Sequence, residues 1–295
     1  MTIKTYPTPP LVSLDITIAT TNVSDPAILP MVAYVLSQFP SLSDAGVSGY
    51  SYFSGAIANP FGGGGTFGGW TGTLVLLGTQ DPDDILALFA PIFQTVNATW
   101  PDQFLILPNV TAFPSFLAWY DIHYDMSAGG LDQYVGSRLL DGPALTGNLT
   151  QSAELLGEFA AGAGAGTAYL VSGPGVHNAQ PRGGGNAVCP AWRTSYIHAS
   201  PSSPPPLSSI HPSSPPSSRL PFPRVKFFHF RPKVLFSGYS TNATVPAATG
   251  VIFQPLNLTL RAEQLQTVTD IVEPLRQLAP NTGAYVNEVR ESCPP

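Results

Sequence analysis

Residues 200–223 read SPSSPPPLSSIHPSSPPSSRLPFP, and 18 of these 24 positions are Ser or Pro. A segment of that composition cannot bury enough apolar surface to offset the entropy of ordering it. A folded core must therefore come from the stretches on either side. Just before it, RGGGNAVCPAWRTSYIHA (182–199) mixes apolar and polar residues as ordered protein does. Just after it, RLPFPRVKFFHFRPK (219–233) carries five of the chain's twelve basic residues and no acidic one. The rest of the chain holds seven basic and eighteen acidic residues. Phe interleaved with Lys and Arg is also a pattern of nucleic-acid or membrane contact. A block that departs from both flanks in composition and in charge sign is more simply an insertion, so neither partner is expected. The sequence thus divides into 1–198 and 245–288, taken as one split domain, an insertion at 199–244, and a tail at 289–295.

The flanks carry clear periodicities. LVSLDITIAT (11–20) alternates with period two and is β-branched, which predicts a strand. Asp25-Pro26 predicts a capped apolar helix through about Phe39. Strands are expected at 47–57, 69–78, 104–107, 134–140 and 167–172. Asp81-Pro82-Asp83-Asp84 predicts a second capped helix, with acidic residues at its positive end. Further helices are expected from Pro114 and over 149–161. Beyond the insertion, ATGVIFQPL reads as a strand and LTLRAEQLQTVTDIVEPLRQLA as an amphipathic helix bent at Pro274; GAYVNEV reads as a closing strand. This order lacks a βαβ rhythm and predicts an α+β fold, an antiparallel sheet with helices on one face.

Only 10% of residues are charged, well below the ~25% usual for soluble domains. Six of the eleven asparagines lie in Asn-X-Ser/Thr acceptor sites: Asn22, Asn97, Asn109, Asn148, Asn242 and Asn257. Together these predict a secreted glycoprotein. MTIKTYP is no signal peptide, so an upstream portion is expected to be missing. The two cysteines, Cys189 and Cys293, allow one disulfide, and no Cys/His spacing suits a metal.

Several motifs reduce to structural readings. Gly63, Gly65 and Gly68 satisfy G-x-G-x-x-G, but a strand follows where a dinucleotide site needs a helix N-terminus; a hairpin tip is expected. No G-x-S-x-G elbow is present. Paired carboxylates for glycoside hydrolysis would have to come from Asp121, Asp125, Glu154 or Glu158, and the last two share a face expected to be solvated.

Taken together, GGGNAVCPAWR, TGAYVNE, FPSFLAWYDIHYD, VGSRLL and GAGTAYLVSGPGVHNA resemble the substrate-side portion of secreted fungal FAD-linked oxidoreductases of the berberine-bridge type, which have the vanillyl-alcohol-oxidase-like, PCMH-type flavin fold. The resemblance covers residues 1–198 and about 245–288. It implies FAD as cofactor, a small alcohol, sugar or related molecule as substrate, and oxygen as electron acceptor. It implies Tyr285 as base or orienting hydroxyl, Asn186 and Asn287 facing the flavin, and Arg193, Trp192 and Tyr169 at the substrate. It also implies that the domain holding the FAD pyrophosphate precedes this point, so that the chain as written is inactive. A second reading remains open: a non-catalytic, glycosylated secreted domain with a binding or structural role.

Overall fold

A computed structural model describes residues 7–58, 66–124, 135–184, 188–201 and 258–285. Asn186, Asn287, Asn242, Asn257, Asp125, Gly63, Gly65, the expected strand at 248–256 and the body of the insertion lie outside these residues.

The fold is α+β. Its strands are β1 (Leu11–Thr20), β2 (Val47–Ala58), β3 (Thr66–Leu77), β4 (Leu105–Phe113), β5 (Arg138–Asp141), β6 (Gly166–Thr167), β7 (Tyr169–Leu170) and β8 (Ser195–Ala199). They form one sheet in the order β4-β1-β3-β2-β7-β8-β5, with β6 also on β2. Every pairing is antiparallel. β6 and β7 are two ends of one strand interrupted at Ala168, whose N–H donates to Ser51 O while Ser51 Oγ donates back to Ala168 O at 2.6 Å.

The helices are α1 (Ile28–Ser37), α2 (Phe39–Asp44), α3 (Pro82–Thr99), α4 (Phe116–His123), α5 (Gly142–Thr146), α6 (Leu149–Ala163), α7 (Pro174–His177) and α8 (Leu258–Leu278). Val12, Leu14, Ile16 and Ile18 of β1 point into the core beside Trp70 and Leu74 of β3. Across them lie Met31, Val32 and Val35 of α1, Ile85, Phe89 and Val96 of α3, and Leu156 and Phe159 of α6. This helix layer covers one face of the sheet. Among the described helices α4 crosses the other face, at one end, where Leu11, Val75 and Phe113 form a small separate core with Ala118 and Trp119.

Local chemistry explains the boundaries. Asp81 Oδ1 accepts from Asp83 N at 3.0 Å and starts α3, with Pro82 at its first position. The first helix ends at Ser37, short of the expected Phe39, and α2 begins at Phe39 because Pro40 cannot donate to a continuing helix. β4 runs to Phe113, well past the expected 107. Pro108 is tolerated there because β4 is the edge of the described sheet. Gly68 sits inside β3, in a hairpin with β2 and with no helix after it. The expected GAYVNEV strand is not formed in its described part. Gly283–Tyr285 is irregular but tied to β5, with Leu139 N donating to Gly283 O at 2.8 Å and Tyr285 N donating to Ser137 Oγ at 3.2 Å.

The sheet also claims the first residues of the segment set apart as 199–244. Ala199 closes β8, and Ser200 is buried, its O accepting from both N and Oγ1 of Thr167. Pro201 bridges Gly166. On the far side of the insertion, α8 packs on α6 and β5. A Cβ built on Gly136 would lie 2.7 Å from Val268 Cγ1, so that glycine lets α8 come close.

Candidate functional site

With the helix layer on one face, every second strand residue is delivered to the other. Asp15 and Thr17 of β1, Thr71 and Thr73 of β3, and Tyr50 and Tyr52 of β2 are in cross-strand register there. Tyr52 pairs with Thr167 and Tyr169 with His198. The result is a polar and aromatic belt across the sheet.

At its β1–β3 end the belt is hydrogen-bonded. Thr73 Oγ1 donates to Asp15 Oδ1 at 2.7 Å, and the Thr17 and Thr71 hydroxyls lie 3.0 Å apart. Burial raises the Asp15 carboxyl above its ordinary range, against the opposing pull of the Thr73 hydroxyl and of the nearby His123.

The other end is aromatic. Tyr169 meets Tyr50 edge-on at 4.8 Å between ring centroids, and Tyr52 at 5.9 Å. His198 lies 5.9 Å from each of Tyr169, Trp192 and Tyr285, and Trp192 lies 6.2 Å from Tyr285. Burial, followed by the neighbouring Tyr52, pushes the Tyr169 phenol well above the usual tyrosine range, and it shares hydrogen bonds with Tyr52 and Thr167. Tyr169 therefore stays a neutral phenol throughout the physiological range. His198 is buried, whereas Tyr50 is 49% and Tyr285 36% exposed. The array thus has a buried inner floor, His198, and an exposed outer rim, Tyr50 and Tyr285.

Local structure fixes its members. Trp192 lies on a 3-10 turn, Pro190–Arg193, whose Trp192 O accepts from Ser172 Oγ at 2.8 Å. Tyr285 follows Thr282, whose Oγ1 donates to Leu139 O at 2.6 Å. Of the residues named from sequence, Tyr169, Trp192 and Tyr285 converge. Arg193 is half-buried beside them, and its Nη1 donates to Val176 O at 2.9 Å, which braces the turn against α7. His198, Tyr50, Tyr52 and Thr167 were not anticipated as site residues. Asp121 lies on α4, over one face of the sheet, while Glu154 and Glu158 lie on α6, over the other, and all three are exposed. They form no catalytic pair. Among the described residues no group of three or more His, Cys, Asp or Glu side chains is placed to hold a metal, and no helix is long and apolar enough to cross a membrane.

Asn22, Asn97, Asn109 and Asn148 are all exposed. Cys189 is buried and disulfide-bonded; the chain's other cysteine, Cys293, lies outside the described residues.

No family model matches the chain, and no curated protein matches it. Among solved structures it is similar to a VAO-type flavoprotein from Myceliophthora thermophila C1, with a TM-score of 0.61 and 20% identity over 98% of this chain and 42% of that one. A second VAO-type flavoprotein from that organism, solved at pH 5.0, matches 65% of this chain and 33% of its own, with a TM-score of 0.46 and 15% identity. The chain spans less than half the length of either. Over the part that it spans, the chain has the fold of a VAO-type flavoprotein.

Proposed function

We propose that this chain is the substrate-side wall of a secreted FAD-dependent oxidoreductase of the berberine-bridge-like type, acting on a small alcohol, sugar or related molecule with oxygen as acceptor. The observation that carries this reading is the aromatic array on the sheet face opposite the helix layer. Tyr169, His198, Trp192 and Tyr285 offer π-faces and edges to a planar ring, and the exposed rim of Tyr50 and Tyr285 leaves room for a substrate.

The described residues fit one half of the cofactor only. They suit the isoalloxazine ring, whereas three of the described arginines, the kind of side chain a pyrophosphate needs, are engaged elsewhere. Arg138 is turned to Ala279 and Pro280, Arg193 to Val176, and Arg276 to Glu273. When bound, FAD supplies the hydride acceptor. The chain's own part is to hold the substrate hydroxyl against Tyr285, whose phenol orients it. Tyr169 remains a neutral donor, and His198 fixes the angle between Trp192 and Tyr285. Asn186 and Asn287 complete the ring contacts in this reading. The exposed acceptor asparagines and the disulfide support a secretory, oxidising route.

A ring face alone must first offset association costs of ~4–15 kcal/mol. The chain is therefore expected to lose FAD on gel filtration and to show no oxidase activity by itself. FAD and lumiflavin should both be quenched weakly on titration, equally by ring contact, and Trp192→Ala should abolish the quenching. Flavin fluorescence unaffected by the chain, or by the Trp192 change, would refute the reading.

A further inference from the structure

Among the described strands β4 is one end of the sheet, and none of them lies beside its outer backbone edge. Such edges invite pairing with another chain unless they are blunted. This one is also apolar. Leu105 is 53% and Leu107 36% exposed. The strand alternation puts both on the face opposite the helix layer, because Ile106 and Val110 pack into the core on the other side. The next residue on that same face is Asn109, opposite Asp15, and the next is Thr111, opposite Ser13. Both are exposed, and they are the first and third residues of the acceptor site Asn109-Val110-Thr111.

We propose that Asn109 carries an N-linked glycan that lies over Leu105 and Leu107 and keeps the β4 edge from pairing. The transfer forms a bond from Asn109 Nδ2 to C1 of the sugar and breaks the C1–O bond to a polyprenyl diphosphate donor. The diphosphate leaves, and the amide proton passes to solvent. The other three described acceptor asparagines lie off this edge. Asn22 is in the turn after β1, Asn97 near the end of α3, and Asn148 at the start of α6, where its Oδ1 caps Gln151 N. Pro108, which offers no N–H, sits next to Asn109 in the strand and weakens the alternative occupant, a second copy paired along β4.

The test uses the full chain expressed behind a secretion signal in a eukaryotic host. Occupancy is read by peptide mass spectrometry on cell and medium fractions together, so that retention does not hide it. Asn109 should be modified, and the parent should sediment as a monomer. Asn109→Gln and Thr111→Ala should each lose one glycan and sediment as concentration-dependent oligomers, while Asn97→Gln stays monomeric. Adding Leu105→Lys to Asn109→Gln should restore the monomer. An unmodified Asn109, or an Asn109→Gln protein as monomeric as the parent, overturns the proposal. So does a parent that dimerises with the glycan in place, which would give the edge to a second copy. None of these outcomes depends on flavin.

Discussion

Arg138 joins the two halves of the chain, and replacing it with Met gives a quantitative test of that join. The side chain is buried, 4% exposed, at the start of β5. Its Nε donates to Ala279 O at 2.9 Å, and its Nη2 donates to Ala279 O at 2.7 Å and to Pro280 O at 3.0 Å. These carbonyls lie at the end of α8, where the helix dipole also favours a cation. A hydrogen bond from a charged donor is worth ~1.5–3 kcal/mol, and there are two acceptors to lose. Against this, Met spares the cost of burying a guanidinium and keeps the aliphatic packing. The balance is a loss of about 3 kcal/mol. For a domain of this size that lowers Tm by roughly 6–12 °C. Urea unfolding should show a lower midpoint with an unchanged slope, since the buried surface is the same. Arg138→Lys, which keeps the charge but not the fork, should fall between. Tyr285, carried by the same segment, should move away from Trp192, and indole emission should shift with it. A loss under about 1 kcal/mol with unchanged emission would show that α8 is held by its apolar face alone.

Gly166→Ala should destabilise by about 1–3 kcal/mol in the same assay, because the new Cβ would clash with the Phe53 ring and lie 2.8 Å from Phe159 Cε1. Asp15→Asn should stabilise the protein near neutral pH. The raised carboxyl favours folding only while protonated, so its contribution fades as pH rises through the raised value, and the advantage of Asn should disappear in acid. For Tyr169 the same sign applies at the alkaline end. Stability should fall above about pH 10 as the unfolded chain releases a proton the folded chain keeps, and Tyr169→Phe should flatten that fall in a pH series of urea midpoints. Removing residues 203–240 should leave the melting temperature unchanged or higher, since Ser/Pro-rich chain supplies no core; a loss of ~2 kcal/mol or more would show the block to be structural.

Where local rules dominate, the sequence was readable almost to the residue. The strict alternation of LVSLDITIAT gives β1 at Leu11–Thr20, and the Asp81-Pro82 cap gives α3 at Pro82. Where tertiary context dominates, it was not. Pro108 reads as a breaker, yet β4 passes through it because an edge strand needs no donor on its outer side. The short α5 carries too few residues for a helical period, although Asp141 Oδ1 accepts from Ala144 N at 3.1 Å as a cap. Trp192, Tyr169 and Tyr285 came from resemblance. His198 did not, because a buried histidine in SYIHA reads as core when its strand is taken alone.

A signal for the rest of the array was nonetheless in the sequence. In GYSY (49–52) the even positions, Tyr50 and Tyr52, are large and the odd ones, Gly49 and Ser51, are small. The usual reading puts the large residues of an alternating strand inside. The structure inverts this because Trp70 occupies the core side. A Cβ on Gly72 would sit 3.3 Å from Trp70 Cζ2 and 3.0 Å from Ser51 Cβ, so the positions beneath the indole must be small. Gly49 is small for another reason: its φ is +150°, and a Cβ there would lie 2.8 Å from Leu74 Cα of the neighbouring strand. With the core side filled by a neighbouring strand's tryptophan, Tyr50 and Tyr52 turn to the face opposite the helix layer, where they meet Tyr169. A strand that alternates tyrosine with glycine or serine, beside a strand that carries tryptophan, is a strand whose aromatic side is free for something other than the core.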